Sequence, residues 1–181
     1  MSTDSLLKNR NFVFFLSIRW FYSVAIQSIT LTVGWQVYIL TGNPLDLGLI
    51  GLAQVFPIFL FILPSGVIAD KFDRKIVICL CTIVHLLVAV YLLYYSLSGP
   101  TSIWPILIAL LVHGTARAMY QPSLSAILPN IVEKKVFPNA TAYNSSVGKL
   151  GHLIGPLISG VIISFYDTKV YIFAIICFAI S

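Results

Sequence analysis

Three basic residues, Arg19, Arg117 and Lys149, stand inside long apolar runs of this sequence. Ionisable groups in such runs are costly in a membrane and mark a water-filled cavity, a charge partner or an ion path. The six acids are Asp4, Asp46, Asp70, Asp73, Glu133 and Asp167. They fall between the runs or at their ends, so none shares the depth of Arg117 or Lys149. An unpaired basic cluster suits an anionic ligand. The other reading is that a part of the protein outside this chain supplies the counter-charge. Arg19, about two turns into its run, can also snorkel to the surface.

Each of these residues belongs to a polar stripe. Arg19, Ser23, Gln27, Thr30 and Gly34 recur at three and four residues. So do His113, Arg117 and Gln121, and so do Ser145, Lys149, His152 and Pro156. That spacing puts each set on one face of a helix. It predicts three helices, the first, fourth and fifth, lining a wet cavity. The candidate cavity residues are Arg19, Gln27, His113, Arg117, Lys149 and His152. Each histidine alone reads first as a packing residue and second as a proton relay. The third helix, with Thr82 and His85 as its comparable groups, reads otherwise as lipid-facing. There is no HExxH, no GxSxG and no carboxylate pair, so intramembrane catalysis has no nucleophile–base set or metal site to run on. Cys79, Cys81 and Cys177 have neither zinc-site nor disulfide spacing. No enzyme activity, metal or cofactor is expected.

The elements that must position these stripes are spanning helices. Of 181 residues, 59% are hydrophobic and only 9% charged, against roughly 25% charge in soluble domains. The mean hydropathy is +0.96. A core of this size cannot hide so many apolar side chains, so lipid must solvate the surface. Runs long enough for ~20-residue spans lie at about 12–40, 46–69, 76–97, 103–128 and 140–165, with a shorter one at 170–181. The breaks between them hold Gly42, Asn43 and Pro44, the charged run Asp70 to Lys75, Ser98 to Pro100, Pro129 to Asn139, and Tyr166 to Lys169. Barrel strands would be ~10 residues of alternating polarity, and these runs do not alternate. The first run is too long for a signal peptide and lacks a cleavage site. The last is too short to span, so the chain is expected to be a fragment or a split product.

Lys8, Arg10, Lys71, Arg74, Lys75, Lys134 and Lys135 fall at the N-terminus and in the second and fourth breaks, against Lys169 alone in the others. Basic loops face the cytosol, so the N-terminus is expected there. The same placement removes the case for nucleic acid, because these charges sit at membrane edges. Trp35, Tyr38, Tyr94, Tyr95, Trp104 and Tyr166 gather at the opposite boundary as an aromatic belt.

Between the second and third helices, Gly66, Asp70, Lys71, Arg74 and Lys75 resemble the loop signature of the major facilitator superfamily, with Asp73 where the broad pattern has Gly. The form from Asp70 to Lys75 resembles the branch of enterobactin and macrolide exporters. Gln36 to Gly42 with Leu47 to Gly51, and Ala116 to Pro122 with Ala126 to Pro129, are similar to that branch. Gly151, Gly155, Pro156 and Gly160 resemble the helix-5 antiporter motif, with Ser159 at a position that often holds Gly. Lys149 stands where relatives more often have Gln. The resemblance implies an all-α membrane fold: the six-helix N-terminal bundle of a twelve-helix transporter, its sixth helix truncated. It also implies alternating access and proton-coupled export of a siderophore-like or drug-like small molecule at the cell membrane. The implied partners are lipid, the small-molecule substrate and a C-terminal six-helix half. Uptake of an organic anion and a non-transporting scaffold are the alternatives.

Overall fold

The computed structural model describes residues 6–166 and 168–181, and leaves the side chains of 67–70 undescribed. Asp4, Asp167 and the Asp70 carboxylate of the loop motif therefore lie outside the described residues. Among the described residues six α-helices of twelve residues or more follow one another: α1 (Arg10–Thr41), α2 (Pro44–Lys71), α3 (Arg74–Leu97), α4 (Trp104–Ile131), α5 (Phe137–Phe165) and α6 (Lys169–Ile180). A 3-10 turn, Lys134–Val136, leads into α5. Among the described residues there is no strand.

Local chemistry sets the helix ends. Asn9 caps α1 by accepting from the backbone N–H of Asn11 and Phe12. Gly42 ends it in the left-handed region at φ 61, its N–H returning to the Tyr38 carbonyl. A side chain resists that conformation, so glycine fits the stop. Pro44 then opens α2, where a missing N–H costs nothing. Asp73 caps α3, its carboxylate accepting from the Lys75 N–H at 2.9 Å. This is what the Asp in place of Gly does locally: it starts a helix after a break of only two residues. The expected break from Pro129 to Asn139 is shorter too. Helix α4 runs through Pro129 to Ile131, and α5 begins at Phe137.

Helix α4 packs between α2 and α3, while α1 packs on α5 and α6, and α6 also rests on α3. Helices α1 and α4 touch more sparsely, and so do α4 and α5. Four helical stretches among the described residues are long and apolar enough to cross a membrane: Arg10–Thr41, Pro44–Gly66, Arg74–Leu97 and Lys134–Phe165. The fourth helix, expected to be a full span, falls short because His113, Arg117 and Gln121 lower its hydropathy. Its place between two apolar neighbours explains how it carries them. The apolar faces of α2 and α5 are exposed, with Phe59 at 73% and Leu157 at 68%, as befits surfaces solvated by lipid or by other helices.

Candidate functional site

Helix α1 is the hub. Its stripe meets α5 along a seam of small residues. A Cβ added to Gly151 would lie 2.7 Å from Ser23 Cβ, and one at Gly155 would lie 2.8 Å from the Val24 carbonyl oxygen. The two backbones approach this closely only because both positions are glycine. At the same seam the Gln27 Nε2 amide lies 3.0 Å from Nδ1 of His152. The amide donates and the ring nitrogen accepts, which leaves the ring hydrogen on Nε2. Gly160 has open space around it and Pro156 lies within the continuous α5 helix.

One turn toward the N-terminal ends of α1 and α5, the Arg19 guanidinium lies over Gly148. A Cβ there would stand 2.9 Å from both its Nε and its Nη2. Its Nη1 donates to Gln121 Oε1 of α4 at 3.3 Å, while Nε is buried without a partner. Arg19 thus bridges the packed pair α1 and α5 to α4, where α4 meets the other two only sparsely. Arg117 is half-buried and lies within electrostatic reach of Arg19, His113 and His152. Neither arginine has a carboxylate partner among the described residues. Asp46 sits in the first turn of α2, Asp73 caps α3 and Glu133 precedes the 3-10 turn. Lys149 is exposed, on the face of α5 that carries His152.

One expectation needs correction. His113 does not line the cavity: it is fully buried, and its Nδ1 lies 3.0 Å from Nδ1 of His85 on α3. Residues four apart on a helix are offset by about 40°, enough here to turn His113 toward α3 while Arg117 faces the α1–α5 side. Nothing lies within 4 Å of a Cβ built on Gly66. In the same loop region, Lys71 and Lys75 are exposed and Arg74 Nη1 donates to the Ala126 carbonyl at 2.9 Å. That bond ties α3 to α4.

Several polar residues have a larger structural part than their sequence positions suggested. Tyr22 Oη is 3.0 Å from His85 Nε2, and its ring stacks on Tyr120 at 3.6 Å and 7°. Phe178 of α6 stacks on His85. Helix α3 is therefore not only a lipid face; His85 anchors the core. Gln54 of α2 is buried and accepts from Thr30 at 3.1 Å. An amide in an otherwise apolar run was the available signal for Gln54. Tyr22, three residues beyond Arg19, read as an ordinary aromatic. Near the far end of α1, Gln36 donates to Ser96 and accepts from Tyr171, joining α1, α3 and α6.

A groove of about 1000 Å³ also opens between α1, α3 and α4, beside the last turn of α6, with Lys75, Thr82 and Phe178 in its wall. It does not include Arg19, Arg117 or His152. Among the described residues, no group of three His, Cys, Asp or Glu is placed to hold a metal.

Comparison with known proteins places this architecture. The chain is 30% identical to the staphyloferrin A transporter of Staphylococcus aureus over 151 residues, which is 81% of this chain and 38% of that protein. It is 23% identical to an MFS-type transporter of Bacillus subtilis over 71% of this chain and 30% of the relative. It is 20% identical to macrolide efflux protein A of Streptococcus pyogenes over 73% and 33%. The chain thus spans about a third of the length of the curated relatives it matches. No solved structure matches it. Residues 9–181 match the transmembrane secretion effector family. This helical, multi-pass membrane chain belongs to that family of major facilitator transporters.

Proposed function

We propose that this chain is the N-terminal half of a secondary transporter whose cavity takes a small organic anion. The observation that carries the reading is the half-buried pair Arg19 and Arg117, mid-helix and without a carboxylate partner among the described residues. Gln27, Gln121 and His152 around them supply directional hydrogen bonding, and exposed Lys149 adds charge at the cavity mouth. A charge-assisted contact to a carboxylate is stronger than a neutral one, so the cluster selects anionic groups. The substrate class is siderophore-like or drug-like. A second six-helix half closes the cavity, and the two halves rock about it. The glycine seam between α1 and α5 lets that wall move as a unit. Gly66, Asp70, Lys71, Arg74 and Lys75 set the contacts of the cytosolic loop. The N-terminus lies in the cytosol and the protein sits in the cell membrane, as the basic loops direct.

Export driven by the proton gradient is the first reading, in line with the efflux relatives. Uptake of an organic anion is the second. It is favoured by one observation: the fixed charges of the cavity wall adjoin a buried histidine pair. Proteoliposomes carrying the full-length protein test the proposal, with benzoate and the neutral match benzamide under an imposed proton gradient. Gradient-dependent movement of benzoate supports it and its direction separates the two readings. Failure to move benzoate while benzamide passes would refute the anion cavity.

A further inference from the structure

The strongest unassigned feature is the buried chain that crosses three helices. Tyr22 Oη meets His85 Nε2 at 3.0 Å, and His85 Nδ1 meets His113 Nδ1 at 3.0 Å. Both rings are 0% exposed. The far nitrogen, His113 Nε2, is buried and has no partner among the described residues. A packing histidine whose bonds are all satisfied would not look like this.

Two nitrogens facing each other at that distance must hold one hydrogen between them, since one has to donate and the other accept. Two arrangements follow. If His85 Nδ1 carries the hydrogen, His85 Nε2 accepts from Tyr22 and His113 Nε2 is an N–H with no acceptor. If His113 Nδ1 carries it, His85 Nε2 donates to Tyr22 and His113 Nε2 is a bare lone pair. The second arrangement can take one more hydrogen ion, at His113 Nε2. The positive charge is then shared with His85 across the Nδ1 contact, and no bond has to be broken elsewhere.

The surroundings set when that happens. Facing the chain are Tyr22 and Arg19 from α1, Cys81 from α3, and Tyr120 and Arg117 from α4. Helix α6 contributes the apolar ring of Phe178. His152 of α5 lies beyond Arg117, held by Gln27. The fixed charges nearby are thus both positive. Full burial of the two rings and these charges both oppose a further positive charge, and an anion beside the arginines removes the second of the two.

We propose that Tyr22, His85 and His113 form a proton-binding site whose occupancy rises when an anion occupies the Arg19–Arg117 cavity. This rests on the anion-cavity reading above. Linkage is reciprocal: the proton tightens the anion by the same factor as the anion tightens the proton. With that sign the two ligands travel together, which is the uptake reading. Exchange of one for the other would need the opposite sign.

The test uses the purified full-length transporter in lipid nanodiscs, with benzoate as the probe because it stays ionised near neutral pH. A pH-indicator dye in weak buffer reads proton exchange as benzoate binds. The expected result is net proton uptake as benzoate binds, lost in His85→Gln and in His113→Gln while benzoate still binds. Binding without uptake in the unaltered protein, or with proton release, overturns the inference and leaves the cavity standing. No benzoate binding removes the cavity and the linkage together. A second measurement does not depend on the variants folding. The chain has three histidines, so nitrogen NMR of labelled rings can use His152 as the internal reference. A shared N–H···N hydrogen between His85 and His113 is expected, and two rings with independent hydrogens would overturn the site.

Discussion

Helix α1 has two sides built on opposite plans. Toward α5 it meets glycines, with half-buried polar side chains spread along the seam and the Arg19 guanidinium over Gly148. Toward α3, α4 and α6 it meets fully buried rings: Tyr22, His85, His113, Tyr120 and Phe178. The ring side holds neutral polar groups in direct contact with each other. The glycine side holds permanent charge beside the sparse junction of α4 with α1 and α5. Permanent charge is kept out of the packed core and placed at a junction, because burying a charge that stays unpaired costs far more than burying a hydrogen-bonded neutral group.

The largest effects should come from filling the seam. Gly155→Leu pushes a side chain into the Val24 backbone and Gln27 Cβ, costing on the order of 3 kcal/mol or more. Thermal unfolding in nanodiscs reads this, and a melting point unchanged from the parent would mean α1 and α5 do not pack as described. On the ring side, Tyr22→Phe removes the partner of His85 Nε2. A buried polar atom left unpaired costs about 1–3 kcal/mol, so the melting point should fall, and an unchanged one would mean that His85 Nε2 does not depend on Tyr22.

Gly148→Ala sharpens the comparison. Its new methyl meets only the end of the Arg19 side chain, which can swing away. Stability should change by less than about 1 kcal/mol, while benzoate affinity falls several-fold, as in Arg19→Gln. A large loss of stability instead would make Gly148 an ordinary seam glycine. The smallest effect belongs to Gly160→Ala. With open space around it, the gain in helix propensity is about 0.5–1 kcal/mol. A melting point well below the parent's would show that the far part of α5 is packed in a way this account omits.

The sequence made some of this legible and not the rest, for a physical reason. Long apolar runs with Gly, Pro and Asn at the breaks are enough to locate helices, since turn chemistry is local. Helical spacing put Gln27 on one stripe and His152 on another, and these two do meet. Spacing within one helix gives a face but not the neighbour that the face meets. That is why His113 was grouped with Arg117, although packing against α3 draws it into the core. It is also why the third helix read as lipid-facing despite His85. Gly148 was visible as one glycine among several. Its role needed the position of Arg19, which no periodicity encodes.

The central claim is that Arg117 recognises negative charge in a cavity shared with Arg19. The direct measurement is the affinity of the Arg117→Gln protein for benzoate and for benzamide. The expected outcome is roughly a tenfold or greater loss for benzoate, from one charge-assisted contact of about 1.5–3 kcal/mol, and little change for benzamide. Equal losses for the two ligands would contradict it and leave Arg117 as a structural charge whose partner lies elsewhere in the transporter.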